Sequence, residues 1–209
     1  LEIDLRDLLG RDSLVPKKDF YEKNISNKVV MVTGAGGSIG SELCRQIILL
    51  NVKKLVLYEI SESALYQIDQ ELQKINKFEI EICPVIGSVS DKERILKICE
   101  YYGIQTIYHA AAYKHVPLVE YNQSQGVLNN TIGTKILAEA AIASNIETFV
   151  LISTDKAVRP TNFMGASKRA AEMVLQALAD LQHSTCFTMV RFGNVLDSSG
   201  SVIPLSLIH

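Results

Sequence analysis

The feature that most restricts the fold is a glycine-rich turn, residues 33–40 (TGAGGSIG), which lies between an apolar run and an amphipathic segment. The apolar run, residues 28–33 (KVVMVT), is rich in β-branched side chains, which is typical of a strand buried on both faces of a parallel sheet. Beyond the turn, apolar side chains recur on one helical face at Ile39, Leu43, Ile47 and Leu50. The pattern predicts a strand, a tight turn and a helix.

The same alternation continues along the chain. Further strands are predicted at residues 54–58, 79–85, 104–108, 149–152 and 186–191, and further helices at residues 61–75, 90–102, 123–144 and 164–181. Strands that are separated by helices pair in parallel, because each helix carries the chain back to the other end of the sheet. The sequence therefore predicts an α/β fold: a doubly wound parallel sheet of Rossmann type with helices on both faces.

Composition limits the functions open to such a fold. Of 209 residues, 47% are hydrophobic, and 21 basic residues against 23 acidic ones give a formal net charge of −2. This balance offers no basic surface for nucleic acid, and no apolar run approaches the roughly 18 residues that would cross a bilayer. The first residues do not show the charged and then apolar pattern of a secretory leader, so we expect none. Four scattered cysteines indicate reduced core residues, not metal ligands, so we expect a cytoplasmic domain without a metal.

The glycine turn has the chemistry of a dinucleotide site. A tight turn without Cβ atoms lets a pyrophosphate approach the N–H groups at a helix N-terminus. Ile39 stands where the strict GxGxxG pattern has its third glycine, so the turn departs from the commonest fingerprint. The residues predicted to bind a cofactor here are Gly34, Gly36, Gly37, Ser38, Ile39 and Gly40. The alternative is a glycine-rich turn with no ligand.

An acidic residue follows at the distance expected of such a site. Glu59 closes the second predicted strand, about 20 residues beyond the turn. A carboxylate at this position can accept both hydroxyls of an adenosine ribose and repels a 2′-phosphate. It therefore favours NAD as the cofactor, with NADP possible. The alternative is a solvated charge at a strand end.

Polar residues also follow the fifth predicted strand. Residues 153–156 (STDK) end that strand, where a doubly wound sheet places its reactive groups. Asp155 and Lys156 are adjacent ionisable groups of opposite type, which suits an acid/base pair. Met164 and Lys168 open the next helix one turn apart and so share a face. The alternative for Asp155 and Lys156 is an ion pair on the surface.

Five motifs in this order resemble the extended short-chain dehydrogenase/reductase superfamily. Within it they resemble most the nucleotide-sugar 4,6-dehydratases of bacterial polysaccharide biosynthesis, which typically act on UDP-N-acetylglucosamine. The motifs are TGAGGSIG (33–40), HAAAYKHVP (109–117), STDKAVRPTN (153–162), MGASK (164–168) and RFGNVL (191–196). The resemblance implies a lyase that removes water from a UDP-sugar through transient reduction of NAD, in the synthesis of capsule or lipopolysaccharide.

The resemblance also implies roles for the residues after the fifth strand. Oxidation at C4 of the sugar acidifies the C5 proton, which Lys156 would remove, while Asp155 would act as the acid that helps the C6 hydroxyl leave. These roles require a protonated Asp155 and a neutral Lys156, and hence shifted pKa values. Met164 stands where most of the superfamily has a proton-transferring tyrosine, so Thr154, Asp155 or a water must take the C4 hydroxyl proton. Lys168 is implied to hold the nicotinamide ribose.

Other positions carry weaker implications. Ala110 is implied to line the cofactor site, and Lys114, Asn130 and Asn194 to contact the substrate. For Asn130 the alternative is a polar contact inside its helix. Ser88 stands where many relatives have an aspartate for the adenine amine, so adenine recognition stays open.

Residues 1–27, which carry mixed charges, are interpreted as an arm or linker, and residues 28–209 as the NAD-binding domain. Relatives continue into a substrate lobe that is largely missing here, so we expect weak turnover or none. We also expect a homo-oligomer with no membrane contact in this segment, although full-length relatives carry membrane helices that can anchor this domain at the cytoplasmic face of the inner membrane. The alternatives are a UDP-sugar 4-epimerase, which would need a proton-transfer residue in place of Met164, and a non-catalytic NAD-binding fragment.

Overall fold

A computed structural model describes residues 23–182 and 184–193 of the chain. Its strands are β1 (Val29–Thr33), β2 (Lys54–Glu59), β3 (Glu81–Ile86), β4 (Thr106–His109), β5 (Thr148–Thr154) and β6 (Cys186–Phe192). Its α-helices are α1 (Ser38–Ile47), α2 (Glu62–Ile75), α3 (Lys92–Tyr102), α4 (Val116–Tyr121), α5 (Gln123–Gly126), α6 (Gly133–Ala143) and α7 (Phe163–Leu181). A π-helix, Val127–Ile132, joins α5 to α6, and a 3₁₀ turn, Asp155–Ala157, follows β5.

The six strands form one parallel sheet in the order β3-β2-β1-β4-β5-β6. The predicted doubly wound fold is therefore confirmed. The chain winds outward from β1 in both directions, so the strand order reverses between β1 and β4. In folds of this kind ligands bind beside that reversal, at the carboxyl ends of the strands. Thr33, the last residue of β1, aligns there with Tyr58 of β2 and His109 of β4.

Two hydrophobic cores lie on the two faces of the sheet, and β1 contributes to both because its side chains alternate between the faces. Val30 and Val32 pack in the core that includes residues of α1 and α2. Val29 and Met31 pack in the other core, which includes residues of α3, α6 and α7. Burial on both faces explains why β1 reads as a continuous apolar run.

The prediction of one helix at residues 123–144 is wrong in one respect, because this range is not a single α-helix. The π-helix interrupts it, which widens one turn of the backbone around Asn130. The separate helix α4 was not predicted. Over the described ranges, no helix is both long and apolar enough to cross a bilayer, and no cluster of three or more metal-ligating side chains occurs.

Candidate functional site

A cavity of about 260 Å³ opens at the carboxyl edge of the sheet, over the ends of β1, β2 and β4. Five residues predicted to bind the cofactor line it: Gly34, Gly36, Gly37, Glu59 and Ala110. Ser88, whose role was left open, also lines the cavity. The sequence analysis gave no role to the remaining lining residues, which are Tyr58, Ile60, Ala64, Gly87, Val89, Ala111, Ala112, Tyr113 and Asn129.

The glycine turn allows several backbone segments to approach one another closely. Gly34 has a positive φ of 67°, and a Cβ there would lie 2.6 Å from the amide nitrogen of Ala111. A Cβ on Gly40 would lie 1.9 Å from the carbonyl oxygen of Gly34. Gly40 therefore lets α1 pack directly on the turn.

The N-terminus of α1 is open to an anion. Its N-cap is Gly37, no side chain caps it, and its first turn carries no acidic residue. Ser38 and Ile39 are half-buried at this first turn. The helix dipole and the orientation of the first N–H groups favour a negatively charged group in front of Gly37. The local geometry thus suits a pyrophosphate.

Glu59 lies at the end of β2, nearly buried and held by backbone N–H groups. Its Oε2 accepts a hydrogen bond from the N–H of Gly36 at 3.1 Å, and its Oε1 accepts from the N–H groups of Ile60 and Ser61 at 2.9 and 3.0 Å. A carboxylate has about four acceptor sites. Three are used inside the protein, so one remains on Oε2 for a ligand in the cavity. The alternative of a solvated charge at a strand end does not fit this geometry.

Asp155 and Lys156 lie in the 3₁₀ turn after β5, at the same edge of the sheet. The hydroxyl of Thr154 donates to Asp155 Oδ1 at 3.0 Å and accepts the N–H of Lys156 at 3.3 Å. Lys156 Nζ lies 3.5 Å from Asp155 Oδ1. A Cβ on Gly165 would lie 2.3 Å from the Lys156 carbonyl oxygen, so α7 packs directly on this turn and holds it in place.

The pKa of Asp155 moves in the opposite direction from the expected one. The hydrogen bond from the Thr154 hydroxyl, together with the positive charge of Lys156, lowers the pKa of Asp155. The carboxyl side chain is 57% exposed, so burial does little to oppose this shift. The expectation of a protonated Asp155 is therefore wrong for this structure, in which the group is a carboxylate at neutral pH.

Met164 and Lys168 are both buried on the face of α7 that packs on the sheet, and the prediction of a shared face is confirmed. Lys168 Nζ donates to the carbonyl oxygen of Ile152 at 2.7 Å. Burial lowers the pKa of Lys168 to about 8, although the nearby carboxylate of Glu172 opposes the shift. Lys168 is therefore a buried amine whose charge can change near neutral pH, not a cation on an exposed helix face.

Glu172 ties β5, β6 and α7 together beside Lys168. Its buried carboxylate accepts from the Ser153 hydroxyl at 2.6 Å, from two nitrogens of Arg191 at 2.7 and 2.8 Å, and from Arg169 at 2.9 Å. Burial alone would raise the pKa of Glu172, but the hydrogen bonds from Arg191, Ser153 and Arg169 lower it to about 2. The sequence analysis did not identify Glu172, and it included Arg191 only as the first residue of the RFGNVL motif, without a role.

Asn130 bridges the cavity wall and α7. Its side-chain amide accepts from the N–H of Tyr113 and donates to the carbonyl oxygen of Tyr113 and to Ser167 Oγ, all within 3.0 Å. Asn129 Nδ2 donates to the same amide oxygen at 3.1 Å. All four hydrogen-bonding positions are therefore occupied, which leaves none for a substrate. The side chain therefore makes a structural polar contact that extends beyond its own helix to Tyr113 and Ser167, and these contacts do not support the implied substrate contact.

Two further predicted positions lie apart from these groups. Lys114 is exposed and does not line the cavity. Asn194 lies outside the described residues.

Residues 30–207 match the family model described as polysaccharide biosynthesis protein. The chain is 49% identical over 204 residues to the capsular polysaccharide biosynthesis protein CapD of Staphylococcus aureus, covering 98% of this chain and 34% of CapD. It is 32% identical over 182 residues to a UDP-glucose 4-epimerase of Rickettsia rickettsii, covering 86% of this chain and 52% of the epimerase. The chain thus spans about a third to a half of the length of these relatives. The matched relatives include a protein named as a membrane protein.

The solved structure of Pen from Bacillus thuringiensis is similar to this chain, with a TM-score of 0.80 and 34% identity, over 87% of this chain and 57% of Pen. More distant solved structures with the same fold, at 18–20% identity, contain bound NAD.

Proposed function

The chain belongs to the polysaccharide biosynthesis protein family, within the short-chain dehydrogenase/reductase superfamily, and on that premise we propose that it is the NAD-binding catalytic domain of a UDP-sugar 4,6-dehydratase. UDP-N-acetylglucosamine is the proposed substrate. The observation that carries the proposal is the Asp155–Lys156 turn, which α7 holds at the carboxyl edge of the sheet through Gly165. The proposed enzyme works in the synthesis of a bacterial surface polysaccharide.

The cavity fits the proposed cofactor in shape and charge. The uncapped N-terminus of α1 would receive the pyrophosphate, and the remaining acceptor site on Glu59 Oε2 would take a ribose hydroxyl. The Glu59 carboxylate disfavours the 2′-phosphate of NADP by charge repulsion. When bound, NAD supplies a reversible hydride acceptor for oxidation at sugar C4. Lys168 would contact the nicotinamide ribose, with the sugar on the side of Asp155.

An ionised Asp155 gives the proposed reaction a closed proton balance. Asp155 would accept the C4 hydroxyl proton, which the thioether of Met164 cannot do. Lys156, after releasing its own proton to solvent, would then remove the C5 proton, and Asp155 would return its proton to the departing C6 hydroxyl, which leaves as water. The hydride taken from C4 would then return to C6 and Lys156 would return the proton to C5, so both side chains end the cycle as they entered it. Asp155 thus acts first as a base and then as an acid, a sequence that requires a carboxylate at the start.

Cofactor binding is tested by fluorescence titration of this chain with NADH and then with NADPH. We expect saturable binding of NADH and at least tenfold weaker binding of NADPH, because the Glu59 carboxylate repels the 2′-phosphate. Glu59→Gln should reduce the difference in affinity between NADH and NADPH. Binding of neither dinucleotide would contradict the proposal.

Catalysis is tested in a longer chain that carries this domain, by following water loss from UDP-N-acetylglucosamine with mass spectrometry. Asp155→Asn and Lys156→Ala should each lower the rate by at least a hundredfold, since each removes a proton-transfer group. Asp180→Asn changes an exposed aspartate at the far end of α7 and is the matched control. Full water elimination by both site variants would show that the proposed roles are wrong.

A 4-epimerase is the second candidate, because the matched relatives include UDP-glucose 4-epimerases. An epimerase returns the hydride to C4 and releases no water. It also needs a proton-transfer side chain, which Met164 does not supply. A C4 epimer without loss of water in the same assay would favour this candidate over the dehydratase.

A further inference from the structure

A chain of buried hydrogen bonds runs across the sheet behind the cavity. Thr33 and His109 end the neighbouring strands β1 and β4 in register, and Thr33 Oγ1 lies 2.7 Å from His109 Nδ1. On the other side of the ring, His109 Nε2 lies 2.9 Å from Thr134 Oγ1. Thr134 Oγ1 in turn donates to the carbonyl oxygen of Asn130 at 2.6 Å. His109, Thr33 and Thr134 are fully buried.

The direction of every hydrogen bond in this chain can be assigned. A threonine hydroxyl has one proton, and that of Thr134 is used on Asn130. The contact with His109 must then be a donation from Nε2–H to Thr134. Among the described residues, the only acceptor near the Thr33 hydroxyl proton is His109 Nδ1. The ring is therefore neutral, with its single proton on Nε2.

The surroundings of the ring agree with this assignment. Burial lowers the pKa of His109 to about 3, and the positive charge of Lys168 on α7 acts in the same direction. Among the described groups, Lys168 is the only charged one that acts on the ring; the ring of Phe149 on β5 packs against it with the two planes inclined at 60°. Thr33 and Thr134 supply its polar contacts.

We propose that His109 is a positioning residue, fixed as the neutral Nε2–H tautomer. It sets the distance between the cofactor turn and the π-helix, which contacts α7 through Asn130. Its Nδ1 orients Thr33, whose hydroxyl also faces the N–H of Ala111 in the cavity wall at 3.5 Å. Its Nε2 acts through Thr134 on Asn130, which bridges to Ser167 of α7. His109 touches neither cofactor nor substrate in this proposal.

Two substitutions separate the two sides of the ring. The Oδ1 of an asparagine occupies the place of the Nδ1 acceptor, so His109→Asn keeps the bond from Thr33 and loses the bond to Thr134. The Nε2 of a glutamine occupies the place of the ring Nε2 donor, so His109→Gln keeps the bond to Thr134 and loses the acceptor for Thr33. A residue that only filled space would not distinguish these variants.

The first test is nitrogen-15 NMR of the histidine side chains, with His109→Asn used to assign the signal. We expect one ring with an unprotonated Nδ1 and a protonated Nε2 that does not titrate between pH 5 and pH 8. A ring that titrates near pH 6.5, or one protonated on Nδ1, would overturn the proposal. This test needs no cofactor and holds whatever the outcome for the proposed function.

The second test compares NADH affinity and amide hydrogen exchange, and rests on the proposed function. His109→Gln and Thr33→Val should each weaken NADH binding about tenfold, and the double variant should lose little more, because both remove the same bond. His109→Asn should bind NADH within about threefold of the wild type but exchange its amides at residues 127–134 faster. Equal effects of the two His109 variants in both measurements would overturn the proposal.

Thr106→Val is the matched control. It removes a buried threonine hydroxyl from the opposite end of β4, where Thr106 Oγ1 donates to the Asn24 carbonyl oxygen at 2.7 Å. It should lower stability without changing NADH affinity. If wild-type protein binds no NADH, the proposed function fails, while the tautomer result still decides the role of His109.

Discussion

The two ends of the candidate site are built in different ways. At the glycine turn, backbone approaches backbone: Gly34 packs on Ala111, and Gly40 packs on Gly34. At the corner of β5, β6 and α7, charged side chains hold the elements together. The carboxylate of Glu172 is buried between Arg169, Arg191 and Ser153, and the buried amine of Lys168 lies beside it. The first end depends on missing side chains, and the second depends on side chains that must all be present.

This difference determines how each end should respond to change. A turn made by close backbone contacts is damaged by any added atom and is insensitive to pH. A buried cluster of charges is damaged by removing any one partner, because the remaining groups lose the compensation for their desolvation. Its stability also depends on pH, since Lys168 and Glu172 have shifted pKa values.

Removing the charge of Glu172 should have the largest effect. Glu172→Gln keeps the shape but places an amide against arginine donors, and we expect a loss of about 3 kcal/mol in unfolding free energy at pH 7. The pKa of Glu172 is about 2 in the folded protein, below its ordinary value of 4.5. Its contribution is therefore present above pH 4.5 and is lost as the pH falls towards 2. Urea unfolding of both proteins across that range measures the difference.

Glu147→Gln is the control for burial. Glu147 pairs with Lys28 and Gln105 at the opposite edge of the sheet, but its side chain is 50% exposed. A solvent-exposed ion pair contributes at most about 1 kcal/mol. Equal losses of unfolding free energy from Glu147→Gln and Glu172→Gln would show that the buried carboxylate contributes no more to stability than the exposed one.

Lys168 should give the next largest effect, and only as a function of pH. Its pKa is about 8 in the folded protein, against an ordinary value of 10.5, so between these two pH values the unfolded chain binds the extra proton. Raising the pH through this window therefore favours the folded state. Relative to Lys168→Met, the wild type should gain up to roughly 3 kcal/mol from pH 7.5 to pH 10.5.

The quantity to compare is the difference in unfolding free energy between the wild type and Lys168→Met. Burial raises the pKa of Tyr58 and of Cys99 to about 12 each, and such groups lower the stability of both proteins as the pH rises. Both proteins share these groups, so they cancel. Lys74→Met removes an exposed lysine and shows the effect of losing a surface cation. A difference in unfolding free energy between the wild type and Lys168→Met that stays constant from pH 7.5 to pH 10.5 would contradict the assignment of Lys168 as a buried amine with a lowered pKa.

The contrast between the two ends also explains what the sequence could predict. The doubly wound parallel fold follows from the alternation of apolar runs and helical faces, and the turn follows from glycines, whose absence of a Cβ is visible in any sequence. The positions of Asp155, Lys156 and Lys168 follow from recognisable motifs at a strand end. Their roles remain predictions.

The parts that the sequence could not predict depend on side-chain orientations and on distant partners. The ionised state of Asp155 depends on the orientation of the Thr154 hydroxyl, and the role of Glu172 on α7 depends on Arg191, 19 residues away on β6. The π-helix at Asn130 has the same apolar pattern as an ordinary helix. At its widened turn, Asn130 contacts Tyr113 and Ser167, which are distant in the sequence.

The smallest predicted effect isolates close approach at the glycine turn. Gly34 and Gly103 have nearly the same positive φ, 67° and 62°, so an alanine pays the same backbone strain of about 1 kcal/mol at either place. Around Gly103 nothing lies within 4 Å of the added Cβ, whereas at Gly34 the Cβ would meet the Ala111 backbone at 2.6 Å. Gly34→Ala should therefore cost a further 1–2 kcal/mol or so and weaken NADH binding, while Gly103→Ala should leave binding unchanged. Equal losses of stability in the two variants would mean that the turn is held by its backbone conformation and not by its contact with the cavity wall.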